Sequence, residues 1–69
     1  MSPNKIIIGG LYILNDQKGI WTCKAHSSRK VAKTHTYHFW RLGVDLWEVT
    51  PEQVDRAASL RELLDDLEG

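Results

Sequence analysis

Cysteine is almost missing from this chain. Cys23 is the only one in 69 residues, so no disulfide can form within a monomer. Long apolar runs are missing too. The longest, Ile6 to Leu14, is broken by Gly9-Gly10 and falls far short of the roughly 20 residues that a membrane-spanning helix requires. Only Lys5 precedes that run and no small-residue cleavage site follows it, so no secretory signal peptide is expected and a cytoplasmic location is. No internal repeat, low-complexity tract, phosphate-binding loop or dinucleotide fingerprint occurs, since Gly9-Gly10 alone is far too little for either motif. Net charge is absent as well: nine bases balance nine acids, with a pI near 6.8. Dedicated nucleic-acid domains usually lie above about 9.

The zero net charge conceals a strong polarity. Residues 1 to 43 carry seven bases against the single acid Asp16, a charge of +6, and residues 44 to 69 carry eight acids against Arg56 and Arg61, a charge of −6. Such asymmetry points either to a charged partner or to the two halves neutralising each other across the fold.

The order of elements predicts an α+β domain, with about four antiparallel strands followed by one C-terminal helix. Lys5 to Leu14 is rich in Ile and Leu, with Gly9-Gly10 marking a bend that could curl the sheet into a half-open barrel. Asn15 to Gly19 is a cluster of turn formers. Strands follow over Ile20 to His26, Val31 to Arg41 and Val44 to Val49, separated by the Ser27 to Lys30 turn and by Gly43. Thr50-Pro51-Glu52-Gln53 has the form of a capping box with proline at the first helical position, which predicts a helix over about 51–67. Within it, Ala57, Leu60, Leu64 and Leu67 form an apolar stripe that would face the sheet, leaving Asp55, Ser59, Glu62 and Asp66 outside.

A turn centred between Ser28 and Arg29 would pair Lys24 with Lys33 and Trp21 with Thr36. One face then collects Trp21, Cys23, His38 and Trp40, and should meet the helix. The other collects Lys24, Lys33, His35, Tyr37, Phe39 and Arg41, and should look outward. Opposed lysines are destabilising, so stability alone gives no reason for that strip. With Arg29 and Lys30 at the nearby turn, Lys24, Arg29, Lys30, Lys33, His35, Tyr37 and Arg41 are the expected partner-binding residues.

Metal and catalytic readings are weaker. Cys23-x2-His26 and His35-x2-His38 have zinc-ligand residue types, but residues three apart on a regular strand point to opposite faces. Cys23 lacks a glycine-rich oxyanion loop and an orienting acid on its strand pair. The expected protein therefore has no catalytic residues, metal or cofactor. It is expected to be a small regulator, monomeric or weakly dimeric, docking on an acidic or mixed-charge protein surface. Nucleic-acid-handling machines such as RNA polymerase or a nuclease effector complex offer such surfaces, and a phage or mobile-element accessory protein would suit this size. The alternative is direct nucleic-acid binding by the same basic face.

Overall fold

Five short runs rich in β-branched and aromatic residues pair into one antiparallel sheet in a computed structural model that describes residues 1–29 and 33–68. The strands are β1 (Leu11–Leu14), β2 (Trp21–Arg29), β3 (Thr34–Arg41), β4 (Val44–Val49) and β5 (Val54–Ala57), in the order β4-β3-β2-β1-β5. Among the described residues one α-helix, α1 (Leu60–Glu68), follows the sheet, and short 3₁₀ turns cover Pro3–Lys5 and Pro51–Gln53. The fold is α+β, and its sheet is open rather than curled into a barrel. No helix among the described residues is long and apolar enough to cross a membrane.

Local chemistry explains the turns. Leu42 and Gly43 link β3 to β4 with φ of 47° and 81°, the pair of left-handed residues that matches strand twist in a two-residue hairpin. Gly19 also has a positive φ, and Arg41 lies against it where a Cβ would stand. The capping box at Thr50 and Gln53 is present, but it closes only the Pro51–Gln53 turn. Beyond it Val54 is buried and pairs with Leu14 as the start of β5, so the predicted helix gives way to a fifth strand. A nonlocal pairing with the free edge of β1 outweighs the local cap. The cap that starts α1 is instead Ser59, whose Oγ accepts from the Glu62 backbone while the Glu62 carboxylate accepts from the Ser59 backbone, both at 3.2 Å.

The core lies on one face of the sheet and comprises Ile6, Tyr12, Leu14, Trp21, Cys23, Tyr37, Phe39, Val49 and Val54. The N-terminal segment closes over it. The Tyr37 hydroxyl donates to the Pro3 carbonyl at 3.0 Å, the Ile7 amide donates to the Tyr12 hydroxyl at 2.7 Å, and the Met1 nitrogen donates to Pro51 and Val54 carbonyls. The predicted arrangement, with the leucine stripe of the helix over the core, does not occur. Helix α1 turns its acidic side inward instead: Asp66 meets Arg41, and Glu62 meets Arg56 of β5. Leu60, Leu64 and Leu67 remain exposed.

Candidate binding surface

Two bulges decide which side chains face outward. In β2 the partners run Thr22–Trp40, Cys23–Phe39, then Ala25–His38 and His26–Tyr37, so Lys24 is an extra residue with no partner on β3. In β4, Leu46 pairs with Phe39 and Val49 with Tyr37, so Trp47 and Glu48 together oppose His38, and Glu48 has φ of 56°. Each bulge shifts the alternation by one residue. The hairpin tip also lies three residues beyond the predicted centre, so each β2 residue meets a β3 partner five to six residues further on and Arg29 comes opposite Thr34.

These shifts exchange the predicted faces. Tyr37 and Phe39, expected outside, are 2% and 0% exposed. Trp40, expected in the core, is on the outer face and more than a third exposed. Tyr37 therefore leaves the candidate surface: burial pushes its phenol pKa up, and the ring packs on His26 with centroids 4.6 Å apart. Lys24 and Lys33 are not opposed. Lys24 occupies the bulge with its Nζ 5.2 Å from the centre of the Trp40 ring, a cation–π contact, while Lys33 is in the turn with φ of 51°.

The remaining predicted residues separate further. Arg29 and Lys33 are exposed at the tip, and Lys30 lies outside the described residues. Arg41 is committed elsewhere. It donates to the Ile20 carbonyl and binds both oxygens of Asp66, at 2.9 and 2.8 Å. That pairing raises the Arg41 pKa and holds the Asp66 carboxyl below its ordinary range. It also ties the basic half of the sequence to the acidic half.

His35 meets His26, with Nε2 to Nδ1 at 3.0 Å and ring centres 5.2 Å apart. Because the nitrogens span most of that distance, the rings meet edge to edge across an N–H···N bond. A metal would have to displace that proton. The bulge returns His26 to the side of Cys23, so the alternation argument against a shared site fails for that pair, although it holds for His35 and His38. Among the described residues no three His, Cys, Asp or Glu side chains gather as a metal group. Cys23 is buried, its thiol pKa pushed up by loss of solvent.

The outer face of β2, β3 and β4 thus carries a set of aromatics different from the predicted one. Trp47 stacks on the His38 ring at 3.7 Å and 9° from parallel, and His38 Nε2 is 2.6 Å from Asp45 Oδ1. Beside them lie Trp40 with Lys24, and Arg29 further along. Trp47 is 68% exposed. Sequence reasoning missed Trp40, Trp47 and His38 because neither bulge contains a glycine to mark it. Around the tip runs an open groove of about 440 Å³, in which Arg29 and Lys33 stand with His35, Glu48 and Glu52. Comparison with family models, curated proteins and solved structures finds no match for the chain.

Proposed function

We propose that this chain is a small non-catalytic regulator that binds a protein partner through the open outer face of β2, β3 and β4. The observation carrying the proposal is the exposed Trp40 and Trp47 on that face, with Lys24 over the Trp40 ring and Arg29 further along at the tip. Tryptophan and arginine are the residue types most often found to dominate binding energy at protein interfaces. The groove at the tip mixes Arg29 and Lys33 with Glu48 and Glu52, which favours a mixed-charge protein surface over a phosphate backbone. A nucleic-acid-handling machine such as RNA polymerase or a nuclease effector complex presents such a surface. An accessory role of the phage or mobile-element kind goes with this reading.

One observation favours a second reading, direct nucleic-acid binding. The Trp47–His38 stack and the Lys24–Trp40 pair are flat aromatic surfaces with a cation alongside, as base-stacking platforms are. The two readings separate in one experiment. Bacterial lysate, with and without nuclease treatment, is passed over the immobilised wild type, Trp47→Ala and Lys24→Glu. A protein that is retained after nuclease by the wild type and lost with both variants supports the regulator. Equal retention by all three chains refutes the surface. Salt-sensitive binding of free random oligonucleotide, lost with the same substitutions, selects the second reading.

A further inference from the structure

The amphipathic helix α1 is docked with its polar side inward, and this leaves its leucines without a partner in the fold. Leu60, Leu64 and Leu67 are 74%, 52% and 83% exposed, while Asp66 and Glu62 are held by Arg41 and Arg56. We infer that this leucine face pairs with the same face of a second copy of the chain, antiparallel, in a weak two-fold dimer separate from the β2–β3–β4 surface.

The charge pattern along α1 selects both the occupant and the direction. Arg61 is the only base on the helix and stands in its first turn, and Glu68 is seven residues later, at its other end. Seven residues are about two turns, so both flank the leucine stripe on one side. Neither is in an ion pair among the described residues. A parallel pair would turn Arg61 and Glu68 toward the other flank of the partner helix, where Glu68 meets Leu63 of the partner subunit and Arg61 projects beyond the start of α1, so neither gains an opposite charge. An antiparallel pair that layers Leu64 on Leu67 of the partner subunit sets Arg61 against Glu68 of the partner subunit. Two-fold symmetry forms that contact twice. Antiparallel helix dipoles also attract.

The helix has nine residues and is about 14 Å long, so the pairing buries less than the roughly 1,200 Å² of a stable complex. Its dissociation constant is on the order of 100 μM. Sedimentation equilibrium of the full chain from about 10 μM to about 1 mM, in low salt, reads it directly. The mass average should rise from one chain toward two. Leu64→Glu should stay monomeric throughout with an unchanged circular dichroism spectrum, since Leu64 is half exposed and lies outside the core. Arg61→Glu should weaken association about tenfold, and Arg61→Glu with Glu68→Arg should restore it. A wild type that is monomeric at the highest concentration overturns the inference. So does a dimer that survives Leu64→Glu, including one that is lost with Trp47→Ala, which would place the contact on the sheet.

Discussion

Replacing Tyr37 tests the register on which every face assignment depends. The side chain is 2% exposed, its ring packs against His26 on one side and the core on the other, and its hydroxyl donates to Pro3. Tyr37→Phe removes only the hydroxyl bond, worth about 1 kcal/mol. In a domain of this size that lowers the melting midpoint by about 4–8 °C. Tyr37→Ala also removes a buried ring and leaves a cavity, a loss of about 3–5 kcal/mol by analogy with buried Phe→Ala. A chain of 69 residues has about 3–10 kcal/mol of total stability, so the Ala variant should be largely unfolded or close to it. Trp40→Ala is the control. Its ring stands on the outer face, 37% exposed and open to solvent, so its loss leaves no enclosed cavity and should cost about 1–2 kcal/mol, less than Tyr37→Ala. Urea unfolding followed by circular dichroism measures all three. Pairing centred between Ser28 and Arg29 predicts the reverse order, with Trp40→Ala severe and Tyr37→Ala below about 0.5 kcal/mol. That order would refute both bulges.

Ser59→Ala removes the side chain that caps α1 and should cost about 1 kcal/mol, seen as lost helical ellipticity with the sheet signals unchanged. Acid should release the same helix. The Glu62 carboxyl is held below its ordinary pKa by the Ser59 backbone bond and then by Arg56, and that of Asp66 by Arg41. Both folded values lie below the unfolded ones, so their stabilisation is complete above the ordinary carboxylate range of about 4 and is lost as pH falls through the folded values. In that window the unfolded chain binds more protons, and stability falls with pH. Amide exchange should show α1 opening before β2 and β3, and simultaneous loss of all elements would contradict the docking.

Much of this fold is legible in the sequence, and the exceptions have physical causes. The Asn15–Gly19 turn, the break at Gly43 and the strand character of β1 to β4 follow from turn chemistry and β-branched or aromatic content. Cys23 and Trp21 are in the core, where alternation puts them. The side of the sheet was not legible beyond Cys23, because a bulge at a lysine and another at Trp47–Glu48 leave no compositional mark. Strand β5 depends on an edge of β1 that is forty residues away, whereas the Thr50 cap is local and visible. The inverted helix depends on two guanidinium groups, from Arg41 and Arg56, whose positions only the folded sheet sets. The outer face carries aromatics, but Trp40, Trp47 and His38 stand where Tyr37 and Phe39 were expected, and among them lie Lys24, over Trp40, and Asp45, beside His38.

The bulge at Lys24 gives β2 something like a reading frame. Below it Trp21 and Cys23 are locked in phase with Phe39, and above it Ala25 to Arg29 follow the opposite phase. Loss of that one residue would set Ala25 directly after Cys23, outward where Cys23 is inward, and every other pair with β3 would be kept. The bulge is therefore a spare position: the ladder can lose a residue there and stay in register, giving up only the lysine that lies over Trp40.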